Sequence, residues 1–299
     1  MRKTIFFAAA LAFMVSACNQ PDKTPVQFDD LGQLKVNVRT NAQTKALIET
    51  SALENGSELG ISVLEAGEAG DADYDGFANY KNVKLTASAS GSNQVWTPAF
   101  DVLLSTTKGT LYAYYPYSAA VTDIKAVPVE TDSQTDYMYG TPVPDLYNKQ
   151  AAADVILNHA LAAVRFNVVK GSFSGTGQVT DIAVNGQQIA NKATMNSLTG
   201  VLAAFEGNNE RINPAFAPFV LSAGGEVKDI IIIPTGTEGG MTISMTIDGY
   251  EIQAQTPAMD FAEGTISEFD LTVNSQSLAI GEVTVTPWST VDKGNIDIL

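Results

Sequence analysis

Alternation of apolar and polar residues dominates the chain. "LKVNVRT" (34–40) puts Leu34, Val36 and Val38 on one face and Lys35, Asn37 and Arg39 on the other, the two-residue period of a half-buried strand. The same period returns in "LGISVL" (59–64), "NVKLTA" (82–87), "TLYAYYPY" (110–117), "AVRFNVV" (163–169), "VTDIAV" (179–184) and "VKDIIIIP" (227–234). It continues through "MTISMTID" (241–248), "YEIQAQ" (250–255), "ISEFDLTV" (266–273) and "GEVTVTPW" (281–288). Gly, Asn, Asp, Ser and Pro separate these runs, as turns require. Helical periods are scarce: "SALENGSE" (51–58) has room for one turn, and "DVILNHALAAV" (154–164) has helical composition but runs directly into a strand pattern. Strand, turn, strand without intervening helices predicts an all-β chain of antiparallel β-sandwiches. The proline-containing, weakly apolar "PVPDLYNKQAAAD" (142–154) is the best break, which predicts tandem domains over 33–153 and 154–299.

The N-terminus follows a different rule. Arg2 and Lys3 precede "IFFAAALAFMV" (5–15), an apolar run too short to span a bilayer as a permanent helix, and the segment reads as a secretory signal over 1–17. Val15, Ser16 and Ala17 then lead into Cys18, the only cysteine. An aliphatic residue, two small residues and Cys resemble the bacterial lipobox, in which the thiol is acylated and the cut falls just before it. The alternative is an unlipidated cysteine in a discarded leader. Residues 18–32, polar and without periodicity, read as a flexible lipidated tether. A single cysteine allows no intrachain disulfide, so stability has to come from packing.

Cleavage before Cys18 leaves 282 of the 299 residues, room for two domains. Removing Arg2 and Lys3 from 17 basic residues leaves 15 against 33 acidic ones, a formal charge of −18. Phosphate backbones and anionic lipid heads repel such a chain, which argues against nucleic acid as a partner and rests membrane attachment on the Cys18 lipid.

Candidate chemistry is thin. His159 is the only histidine, so zinc sites built on two imidazoles are excluded. A serine triad would need His159 as its base, yet no Gly-x-Ser-x-Gly elbow occurs, and "GSFSG" (171–175) has the wrong spacing. The inventory points away from an enzyme and implies no cofactor. "DADYDG" (71–76) spaces Asp71, Asp73 and Asp75 as a calcium loop does, with Asn79 at the ninth position. Its twelfth position is Asn82 where a bidentate Glu is wanted, and a solvated acidic loop is the preferred reading. Tyr112 and Tyr114 share a strand face, where aromatic residues more often pack in a core than bind sugar.

"LYAYYPY" (111–117), "TDYMYG" (135–140), "LNHALAAVRFNV" (157–168), "IIIIPTG" (230–236), "MTISMTIDGYEI" (241–252), the glycine before "TISEFDLTV" and the closing "VTVTPW" follow one another in this chain. In that order they resemble the fimbrillin family of Bacteroidales, lipoprotein precursors of type V pili, over essentially the whole mature chain. The resemblance implies two transthyretin-like, Greek-key β-sandwich domains carried to the outer membrane on the lipid. It also implies a trypsin-like protease that removes the lipidated segment with the first strand, opening a groove for the C-terminal strand of another subunit in a homo- or hetero-polymer that contributes to adhesion. On this chain the displaced strand would hold Leu34, Val36 and Val38, and the cut would follow Arg39, with Lys45 as the alternative. "NIDIL" (295–299) would supply Ile296 and Ile298 as the donor, with Leu299 out of phase. So short an arm also leaves room for an anchor or accessory subunit, or for a tethered surface lipoprotein that presents loops to host glycans or proteins.

Overall fold

The computed structural model of the protein describes residues 30–40, 53–67, 72–90, 93–186, 188–207, 211–235, 240–274 and 277–288. Cys18, Lys45, Asp71, Ile296 and Ile298 lie outside the described residues. The described chain is almost wholly β, and none of its helices is long and apolar enough to cross a membrane.

In chain order the first strands are β1 (Gly32–Gln33), β2 (Lys35–Thr40), β3 (Glu58–Glu65), β4 (Val83–Ser90), β5 (Asn93–Pro98), β6 (Leu103–Leu104), β7 (Gly109–Tyr115), β8 (Val127–Glu130), β9 (Met138–Gly140), β10 (Val143–Leu146) and β11 (Ala152–His159). There follow β12 (Ala162–Lys170), β13 (Gln178–Asn185), β14 (Lys192–Met195), β15 (Leu202–Glu206), β16 (Phe219–Val220), β17 (Glu226–Ile232), β18 (Thr242–Ile247), β19 (Tyr250–Gln255), β20 (Thr265–Val273) and β21 (Leu278–Pro287).

An eight-stranded sheet takes the order β2-β11-β9-β7-β3-β4-β5, with β10 beside β7, and curls until its edge strands β2 and β5 approach one another. Its inner face closes over a core that includes Leu34, Val36, Leu59, Ile61, Trp96, Leu111 and Val155. Farther along, the sheets β17-β12-β20-β21 and β16-β13-β18-β19 enclose a second core around Phe166, Ile182, Met245 and Phe269. Alternation dictates which side chain goes where: Ala162, Val164, Phe166 and Val168 of β12 point into that second core, while Ala163 turns the other way.

Two pairings depart from an antiparallel plan. β2 runs parallel to β11, and β12 runs parallel to β20. Parallel neighbours must come from distant segments, so the local strand-turn-strand rhythm carries no sign of them. The segment 154–164 forms no helix: it is the end of β11, a sharp connection at Ala160 and Leu161, and the start of β12. Because β11 lies inside the eight-stranded sheet, that sheet extends to His159, beyond the break expected at Ala153.

A third sheet, β15-β14-β8, combines one strand from the earlier part of the chain with a hairpin from the later part. Beneath it lies a third core in which Tyr114, Val127 and Val129 meet Ala163, Met195, Ile231 and Trp288.

Candidate functional site

The segment 30–40 is held on both sides. β1 pairs antiparallel with β6, setting Gly32 against Leu104 and Gln33 against Leu103. At Leu34 the chain changes partner: its N–H donates to the Val102 carbonyl at 2.9 Å, and the next N–H, of Lys35, donates to the Ala151 carbonyl at 2.8 Å. β2 then follows β11 in parallel, with Val36 beside Ala153, Val38 beside Val155 and Arg39 beside Ile156. Asn37 Nδ2 donates to Asp154 Oδ1 at 2.8 Å on the outer face.

The apolar face expected for the first strand points inward. Leu34 is 4% exposed and Val36 7% exposed, and half-buried Val38 packs on the same core. Lys35, Asn37 and Arg39 are exposed. Arg39 is the penultimate residue of β2, and buried Thr40, beside Leu157, ends the strand.

Sequence reasoning missed the leading half of this seam. Gly32 passes so close to Asn148 that a Cβ there would overlap the Asn148 backbone oxygen. Asn148 Nδ2 also donates to the Asp30 carbonyl at 2.5 Å. The signal was the glycine two residues ahead of an alternating run, and it carries meaning only once Asn148 is known to lie beside it.

The other candidates resolve differently. Asp73 pairs with Lys81 at 2.7 Å, and Asp75 accepts a hydrogen bond from the Ser105 hydroxyl. Buried Tyr74 between them donates to the Thr107 carbonyl at 2.6 Å. Protein partners thus take both described carboxylates of the acidic loop, and no group of three metal-binding side chains forms among the described residues.

His159 Nδ1 sits 2.6 Å from Asp136 Oδ2, with both side chains buried. Burial pushes the Asp136 carboxyl above its usual range, and the hydrogen bond and charge of His159 oppose that rise. A triad would need a hydroxyl on the far nitrogen, yet among the described residues Nε2 has no hydrogen-bond partner. The imidazole instead stacks on Trp288, with ring centroids 4.1 Å apart and planes 5° from parallel. Beside this stack lies a cavity of about 430 Å³ that Glu263 also lines, its carboxyl pushed up by burial. The cluster clamps the end of β21.

The described chain is all-β, and its segment 30–40 closes the edge of a sheet. A fimbrillin-like family profile matches residues 40–288, and the chain belongs to that family, one of fimbrial subunits rather than enzymes. A Bacteroides uniformis protein with the provisional name fimbrium subunit Fim1C is 26% identical over 267 residues, 85% of this chain and 82% of that one. The fold is shared with a crystal structure described as a cell adhesion protein, also of Bacteroides uniformis, at TM-score 0.67 and 18% identity, covering 88% of this chain and 100% of that chain. A second such protein, from Bacteroides ovatus, matches at TM-score 0.64 and 14% identity over 87% and 98% of the two chains. The role is that of a fimbrial subunit at the cell surface, one that associates with other pilin subunits.

Proposed function

We propose that the chain is exported as a lipoprotein acylated on Cys18, is cut after Arg39 at the outer membrane, and then joins a fimbria by accepting a strand from another subunit. Lys45 is the alternative cut. The released segment would carry Leu34, Val36 and Val38 away, leaving the edge of β11 and the β6 ladder open, and a later segment carrying Ile296 and Ile298 would serve as donor. The polymer would contribute to adhesion. The observation that carries this reading is the edge position of β2, held by one parallel ladder with its apolar face in the core. An edge strand is the part of a sheet that can be exchanged without rebuilding the rest.

N-terminal sequencing of the surface-exposed protein tests the cut. A start at Thr40, with ladders in unboiled gels, is expected; a start at Ala46 would move the cut to Lys45. Monomers that retain acylated Cys18 would remove strand exchange. They would favour a tethered binding protein, for which Phe77 and Phe100 provide a surface: they are 43% and 40% exposed, and each stacks with Tyr80.

A further inference from the structure

The incoming strand has to satisfy two conditions, both set by the seam. At Leu34 and Val36 it must place apolar side chains in the core. Two residues before the first of these it must carry a glycine, because at the Gly32 position any Cβ would meet the backbone oxygen of Asn148, and a backbone atom cannot swing aside as a side chain does. The required pattern is Gly-x-aliphatic-x-aliphatic, with the aliphatic residue Val, Leu or Ile. In the whole chain this pattern occurs three times: at Gly32 itself, at Gly281 and at Gly294.

The Gly281 run is already committed. Val283 and Val285 are held in the β21–β20 ladder opposite Phe269 and Ser267, and Val283 packs on the second core. The third run, "GNIDIL" (294–299), aligns with "GQLKVN" (32–37) residue for residue: Gly on Gly, Asn295 on Gln33, Ile296 on Leu34, Asp297 on Lys35 and Ile298 on Val36.

We infer that the donor is a second copy of this chain, whose Gly294–Leu299 segment replaces Gly32–Asn37 in the same direction and register, with Gly294 seated against Asn148. This rests on the strand-exchange reading above and adds to it a partner and a register. Glycine decides the register. A shift by two residues would keep Ile296 and Ile298 facing the core, but would bring the Cβ of Asp292 against the Asn148 oxygen. In the glycine-seated register the out-of-phase Leu299 falls on Asn37, an outward position.

Disulfide mapping on the full-length chain, trimmed with an Arg-specific protease, tests the inference, since trimming removes Cys18. Ala152 is the exposed neighbour of Lys35 in the ladder, so the inferred register sets Asp297 beside Ala152 of the next copy. Ala152→Cys with Asp297→Cys is expected to yield a reducible ladder, whereas Ala152→Cys with Asn295→Cys yields none. Gly294→Val is expected to lower polymer yield at least tenfold. A ladder from the Asn295 pair would overturn the register, and one from Ala152→Cys with Thr284→Cys would make β21 the donor. Polymers that resist detergent in all three double variants without cross-links would place the donor elsewhere. Each of those outcomes overturns the inference and leaves strand exchange standing. Absence of polymer from the trimmed, unsubstituted chain removes strand exchange itself.

Discussion

Gly60 shows how one missing methyl organises a core. It faces Tyr114 across the β3–β7 ladder, and a Cβ on residue 60 would overlap the Tyr114 ring. The ring therefore lies flat over the glycine and is 1% exposed, while its hydroxyl donates to Asn82 Oδ1 at 2.6 Å. Burial pushes the phenol up to about 12, so it stays neutral across physiological pH. Gly60→Val should expel the ring and cost about 1–3 kcal/mol, the usual range for overpacking, measured as a lowered urea midpoint. Asp136 makes a different prediction. Its folded carboxyl titrates above its ordinary 3.8, so the native state holds the proton longer than the unfolded chain does. The stability it contributes is complete below about pH 4 and fades as pH rises through the folded value. Asp136→Asn, which has no carboxyl to titrate, is expected to flatten that decline in a melting series from pH 4 to 8. The sequence marked Tyr114 as a strand-face aromatic that packs, but neither Gly60 nor Asp136 had a signal there, because each depends on a neighbour far along the chain.

At the scale of elements, the first segment is the part best read in advance. Period-two alternation alone assigns Leu34, Val36 and Val38 to one face, and the structure turns that face inward. Its parallel partner β11 was not legible: "DVILNHALAAV" mixes helix formers with β-branched residues, and only the ladders to β2 and β9 hold residues 152–159 extended. The seam makes a quantitative prediction. Burying a Val or Leu side chain is worth roughly 1.5–3 kcal/mol, so losing Leu34 and Val36 costs about 3–6 kcal/mol, much of a typical domain's roughly 5–15 kcal/mol. Protein trimmed at Arg39 and kept from polymerising should melt markedly lower than the intact chain and bind an apolar dye. In the untrimmed chain, Gly32→Ala should loosen residues 30–40 through the Asn148 contact, seen as faster hydrogen exchange there than in β3 or β7.

For the whole molecule, the third core and the β15-β14-β8 sheet join the early and late parts of the chain. Side chains shared between two units couple their unfolding. The two tryptophans report on different places, Trp96 in the first core and Trp288 in the third. Single-tryptophan variants, Trp96→Phe and Trp288→Phe, are expected to give coincident denaturant transitions, and well-separated midpoints would mean that the shared core does not couple them. Charge also acts at this scale: trimming after Arg39 leaves 12 basic and 30 acidic residues, a formal charge of −18, so like-charged copies repel and assembly of trimmed subunits should speed up with added salt as screening shortens the range of repulsion. By itself the sequence determined the all-β class, the inward face of the first strand and the resemblance to fimbrillins, because alternation and motif order are local properties of the chain. Only the tertiary structure decided that β2 lies parallel to β11 and β20 to β12, that His159 stacks on Trp288, and that Gly32 is obligatory beside Asn148. Those depend on residues brought together from opposite ends of the chain, and no local pattern records which ends will meet.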